Sequence, residues 1–294
     1  MRKLFGILCV SILTYQLNAT NLKIEKVVTH KVGDVFTFFN KLNYTQESWK
    51  QGDKSVPRIQ VSHIPKSWAK SSQTISVNAK KKIFFRLLAP MVLKSNELIL
   101  QERKKLIKFS KSRNFSTNKS LIALAKKYRI LKKEQTTLSK KDIDELLARV
   151  DKIPLSLALA QGASESGWGT SRFALLGNSL FGQWDFSGNG IKPKQQRKEL
   201  GNYGLAKFNS PQDSVNSYIR NLNTHRSYKP MRDMRAKNRD ISGYKLTEGL
   251  IYYSERREEY IKDLKSIITF NKLDKVDDAY LSGDVEYHIT PFGK

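Results

Sequence analysis

The chain has 294 residues, with 53 Lys+Arg against 27 Asp+Glu, a formal charge of +26, and 39% hydrophobic and 10% aromatic content. That supports one sizeable core or two small ones and excludes a wholly disordered chain. The charge says little about fold but points to a polyanionic partner: nucleic acid, an acidic membrane face or an anionic wall polymer.

Arg2 and Lys3 precede an almost unbroken apolar run from Leu4 to Tyr15, and Leu17-Asn18-Ala19 ends on a small residue. This is the pattern of a Sec-type signal peptide over residues 1–19, too short for a comfortable membrane span; an uncleaved anchor is the other reading. Cleavage after Ala19 would remove the only cysteine, Cys9, leaving neither thiol nor disulfide. An exported, cysteine-free chain is expected in the periplasm or cell envelope. Export counts against nucleic acid as partner and leaves a wall polymer or an anionic membrane surface.

Residues 20–75 mix short apolar runs with turn signals and read as an irregular arm. Within it "DVFTFFNKLNY" suits a short helix or a strand, and "VPRIQVSHIP" reads as extended, since proline disfavours helix at the residue before it. Residues 76–150 read as a basic helical region. Ile83, Leu87, Leu88, Met91, Leu98 and Leu106 recur at helical spacing, with Pro90 expected to kink or split the helix. A helix over about 119–131 follows, then one with Ser139 as N-cap and Asp142 in its first turn. Residues 101–150 hold 15 Lys+Arg and 5 acids. Solvated faces of amphipathic helices account for most of these, and the same charges can attract an anionic polymer.

The charge then drains away. Residues 151–190 contain only Asp151, Lys152, Glu165, Arg172 and Asp185 as charged groups. Pro154 lies in the first turn of a helix through "LSLALAQGASES". Glu165 is the one carboxylate near its end, just before Gly167-Trp168-Gly169, and shares its face with Gln161, Gly162, Ala158 and Leu157. Burial on such a face would raise the carboxyl pKa and keep a proton available for a leaving oxygen, which glycosidic cleavage requires. From spacing alone, a helix-end glutamate in solvent fits equally well. Aromatics and amides shift that balance, because sugar sites combine flat rings with amide groups. The candidate sugar contacts are Trp168, Phe181, Gln183, Trp184 and Asn178. Phe181 and Phe186 also suit a core under a loop, whereas Trp184, between Gln183 and Asp185, suits an exposed platform. The four histidines are scattered without zinc spacing, and there is no phosphate loop or nucleophile elbow, so no metal and no cofactor is expected.

Ser210, Pro211 and Asp213 open another helix. "KELGNYGLAKFNS" alternates as a hairpin would, and "YIKDLKSIITF" is helical. Residues 274–294 form an acidic tail that either folds back on the basic body or stays solvated.

"ASESGWGTSRFA" followed by "GNSLFGQW" resembles the glucosaminidase domain of glycoside hydrolase family 73. "VPRIQVSHIP", "KKKIFFRLLAPMVLKSNELIL", "RVDKIPLSLALAQGASESGWGTSRFA", "SVNSYIRNLNTHRSYKPMR" and "YSERREEYIKDLKSII", in that order, resemble the Bax-type glucosaminidase-domain proteins over roughly residues 56–281. The resemblance implies a mainly α (α+β) fold: a lysozyme-like helical catalytic domain over residues 151–273 with a small β-hairpin. It implies an endo-β-N-acetylglucosaminidase that hydrolyses β-1,4 links after N-acetylglucosamine in peptidoglycan glycan strands. By the family motif Glu165 is the general acid and Tyr228 positions the acetamido group or a water. Glu199, on a hairpin that matches the family loosely, is the candidate second acid. Asp185 is the next choice, and the substrate's own acetamido group is the alternative to both. A muramidase or lytic transglycosylase on the same fold, and a catalytically inactive wall-binding protein, are the rival readings.

Overall fold

The computed structural model describes residues 22–193, 195, 201 and 203–292. The expected signal peptide and Glu199 lie outside the described residues.

The chain is mainly helical, as expected. Residues 20–75 are more regular than their turn-rich sequence suggests. They contain β1 (Lys23–Thr29), α1 (Val32–Lys41), α2 (Gln46–Lys50), β2 (Ser55–Val61) and α3 (Trp68–Ser71). "DVFTFFNKLNY" resolves as helix because Val35, Phe38 and Phe39 fall on one face and are buried together. The acidic tail supplies β5 (Tyr280–Pro291), which lies between β1 and β2 and pairs parallel with both. Val27 is opposite Ile289 on one side, and Ile59 is opposite Tyr287 on the other. Of the two expectations for the tail, the fold-back holds and takes the form of a central strand, in which Glu286, Ile289 and Pro291 are buried. The acids that made it look like a tail point elsewhere or are paired.

The long helix α4 (Val77–Ser110) connects this sheet to the rest. Pro90 does not divide it. Burial of Ile83 to Leu93 along most of its surface outweighs a proline cost of about 3 kcal/mol. Arg58 of β2 binds Glu97 of α4 through two hydrogen bonds of 2.8 and 2.9 Å, and Lys94 of α4 binds Glu286 of β5 at 2.8 Å. The second half of α4 packs with α5 (Lys119–Lys127) and α6 (Lys140–Arg149) around a separate small cluster that includes Leu106, Leu121 and Leu146. The cap of α6 is as expected: Ser139 accepts from the Asp142 N–H at 3.2 Å.

The main core surrounds α7 (Leu155–Ser166), in which every residue from Leu155 to Ala163 is buried. A helix apolar on all sides belongs at the centre of a bundle. Around it lie α4, α8 (Arg172–Gly177), α9 (Pro211–Thr224), α10 (Lys229–Lys237), α11 (Gly243–Leu246) and α12 (Arg257–Phe270). A short antiparallel pair is present, β3 (Trp184–Asp185) with β4 (Gly204–Leu205); β4 lies in "KELGNYGLAKFNS", but its partner comes from the turn-rich segment before residue 190. Among the described residues, no helix is long and apolar enough to cross a membrane.

Candidate active site

The C-terminal end of α7 turns through three consecutive left-handed residues, with φ of 55° at Gly167, 62° at Trp168 and 77° at Gly169. Glycine takes this conformation freely; a tryptophan does not. Four contacts compensate. The Trp168 ring meets Phe84 and Phe85 of α4 edge-on at 5.8 and 5.1 Å, Lys81 lies 5.0 Å from its centroid, and its carbonyl accepts from Trp68 Nε1 at 3.1 Å. Ser166 completes the turn, donating to the Gly162 carbonyl and accepting from the Gly169 N–H. The "ESGWG" segment is thus a turn locked onto α4, and it leaves Glu165 on the last turn of a buried helix.

Glu165 is half-buried. Its Oε1 accepts from the Tyr260 hydroxyl at 2.7 Å. Tyr260 in turn accepts from Gln161 Nε2 at 3.0 Å, and Gln161 Oε1 accepts from the Tyr218 hydroxyl at 2.6 Å. Gln161 and Glu165 stand one helical turn apart, so a single phenol on α12 can bridge them. Glu165 Oε2 lies beside Gly182, where even a methyl group would approach it to 3.3 Å. Burial raises the Glu165 pKa, and the Tyr260 hydrogen bond opposes that rise.

Other phenols complete the enclosure. Tyr253 stacks parallel to Tyr260 at 5.5 Å and donates to the Phe181 carbonyl at 3.0 Å. Tyr228 lies against Tyr253 at 5.6 Å and shares a hydrogen bond with Asn221. Burial, aided by the Glu165 charge, pushes the pKa values of Tyr218, Tyr253 and Tyr260 well above that of a free phenol. They are neutral donors, and none can serve as a base at ordinary pH.

The five residues of "NSLFG" each contribute to the wall of this site. Asn178 accepts from the Ile64 N–H at 2.9 Å and donates to the Phe208 carbonyl at 3.0 Å. Its amide thus staples two loops and is not free to meet a ligand. Ser179 and Leu180 are buried. Phe181 is 1% exposed and stacks on Tyr218 at 3.8 Å, so its ring is floor and cannot be a sugar contact. Gly182 leaves space at the carboxylate. Beyond it, Gln183 donates to the Ser214 carbonyl at 3.1 Å, while its Oε1 is buried with no partner among the described residues.

Trp184 is 52% exposed, stacks on Phe186 at 6.1 Å and leans on Tyr203 at 4.9 Å. Phe186, expected beneath a loop, is 70% exposed. Asp185 accepts from the Ser187 hydroxyl at 2.8 Å, and that bond holds its pKa below the ordinary value. It is an ionised residue of β3 whose other oxygen, Oδ2, is buried with no partner among the described residues.

The structure therefore groups Glu165 with Tyr228, leaves Trp184 exposed two residues beyond Gly182, and commits Trp168, Phe181 and Asn178 to the framework. Sequence reasoning missed Tyr253 and Tyr260. Tyr260 carried one signal, since it leads the buried face Tyr260–Leu264–Ile268 of α12.

Residues 140–273 match the glucosaminidase family, described as mannosyl-glycoprotein endo-beta-N-acetylglucosaminidase. The chain is similar to protein bax of Escherichia coli (strain K12), 33% identical over 187 residues. That alignment spans 62% of this chain and 66% of the relative, just under two thirds of its length. No solved structure matches the chain. The matched segment contains Glu165 and its phenolic surroundings, so residues 140–273 carry a glucosaminidase-family domain, and the likeness to protein bax, which extends beyond that segment, supports a protein of the Bax type.

Proposed function

We propose that the chain is an endo-β-N-acetylglucosaminidase that hydrolyses β-1,4 links after N-acetylglucosamine in peptidoglycan glycan strands, with Glu165 as general acid. One observation carries this reading: a half-buried carboxyl with a raised pKa, one oxygen tethered by Tyr260 and the other beside Gly182. In that arrangement Oε2 holds the proton and gives it to the glycosidic oxygen as the bond to the anomeric carbon breaks. The carboxylate left behind is met at Oε1 by the Tyr260 hydroxyl, which offsets its new charge. A water then adds its oxygen to the anomeric carbon, and its proton goes to the Glu165 carboxylate or to the second group, from which the acid is restored.

Tyr228 positions the acetamido group or that water, and Trp184 with Phe186 offers a flat apolar platform to a sugar ring. Asp185 Oδ1 accepts from Ser187 while its Oδ2 has no partner among the described residues, so the candidates for the second role are Glu199, Asp185 and the substrate's own acetamido group. Action on peptidoglycan also requires export to the cell envelope, in keeping with the apolar run after Arg2 and Lys3.

The test is mass spectrometry of the products from purified peptidoglycan. N-acetylglucosamine reducing ends support the proposal. Muramic or anhydromuramic ends would replace it with a muramidase or lytic transglycosylase. Pelleting with sacculi and no product would make the protein a wall binder.

A further inference from the structure

The unit formed by the second half of α4 with α5 and α6 has its own core, closed by Leu106, Leu121, Leu146 and Val150. It also has its own charge, since residues 101–150 carry 15 Lys+Arg and 5 acids. Three of those acids are engaged within the unit. Glu102 takes Lys127 and the Tyr128 hydroxyl, Glu145 takes Arg149, and Asp142 caps its own helix through Ser139. Lys104, Lys108 and Lys111 are exposed and have no acidic partner among the described residues.

Position on the helix separates this charge from an ordinary solvated face. At 100° per residue, Leu100, Lys104, Ile107, Lys108 and Lys111 fall within an arc of about 100°. Leu100 and Ile107 are each 37% exposed, while Leu106 on the opposite side is fully buried. The outward ridge therefore interleaves aliphatic and ammonium groups. A hydrophilic polyanion would satisfy the ammonium groups and leave the aliphatic ones wet. An anionic bilayer satisfies both, with phosphates for the lysines and the acyl boundary for leucine and isoleucine, the lysine stems lying along the apolar layer.

We propose that this ridge seats the protein on an anionic phospholipid surface, with the second half of α4 lying along the membrane plane. The contact is independent of Glu165 and needs no membrane-spanning helix. It would hold the enzyme at a lipid face without occupying the candidate active site.

Amine footprinting tests it. The full chain is acetylated alone, on vesicles of equal phosphatidylglycerol and phosphatidylcholine, and on phosphatidylcholine vesicles, and each lysine is read by mass spectrometry. This readout is insensitive to any tethering through the N-terminal apolar run. Lys104, Lys108 and Lys111 should react about tenfold more slowly on the anionic vesicles, given the strength of lysine attraction to such a surface. Exposed Lys272, beyond α12, should react equally throughout. Salt of about 1 M, where the Debye length is about 3 Å, should release the protection. Leu100→Ser combined with Ile107→Ser should weaken it severalfold with the circular dichroism spectrum unchanged. Equal labelling on the two vesicle types overturns the proposal, as does full protection in the double variant. Protection by sacculi or DNA with none on vesicles also overturns it and assigns the ridge to a soluble polyanion.

Discussion

Tyr260→Phe removes one hydroxyl and two hydrogen bonds: the donation to Glu165 Oε1 at 2.7 Å and the acceptance from Gln161 Nε2 at 3.0 Å. Gln161 is fully buried. Leaving its amide N–H without a partner costs about 1–3 kcal/mol at any pH. The bond to Glu165 adds to this only while that carboxyl is ionised. Charge-assisted bonds of this kind contribute about 1.5–3 kcal/mol, and water recovers part of that at a half-buried group. The stability loss should therefore be about 1–3 kcal/mol below the Glu165 pKa and larger above it. Urea unfolding across a pH series measures both arms. The same bond draws the Glu165 pKa down against burial. Without it the pKa climbs further, and the alkaline limb of kcat/KM on peptidoglycan moves to higher pH. A variant with wild-type urea midpoints at acid and neutral pH and an unmoved alkaline limb would refute the reasoning.

Glu165→Gln should lower hydrolysis by about 10²–10⁴-fold in a product assay. Because burial holds the folded pKa above the unfolded value, the folded chain binds more protons between the two, and wild-type stability falls as pH rises through that window. The glutamine variant lacks this penalty, so its Tm should equal or exceed that of wild type at neutral pH, and the difference should vanish below a pH of about 4. Asn178→Ala, which breaks the loop staple and forces alanine to adopt a φ of 50°, should cost about 2–4 kcal/mol in urea unfolding. Trp184→Ala should weaken binding of soluble glycan fragments severalfold in calorimetry and leave Tm unchanged, because half of that ring already faces solvent.

Features set by neighbours in sequence were legible. Ser139 and Ser210 announced their helices because capping depends on a residue and the N–H three positions on. Glu165 stood out because an acid on a small, apolar helix face is rare. What could not be read depended on distant segments. Tyr260, which tethers the acid, lies 95 residues beyond it. No local pattern distinguished Phe181, which became floor, from Phe186, which became surface. The direction of the Trp168 ring follows from its left-handed backbone, and Phe84 and Phe85 decide it from another helix. The acidic run after residue 273 looked like a tail because strand pairing with β1 and β2 leaves little trace in composition.

The strand order β1-β5-β2 has a consequence for how the protein is made. A ribosome delivers both flanking strands early, and the piece that joins them follows some 226 residues after Val56. Until then two bare β-edges travel with the nascent chain, each a template for mispairing with any extended neighbour. Only the arrival of the last strand locks the front of the molecule. An interrupted translation product thus displays its incompleteness as sticky ends, which chaperones and proteases can recognise.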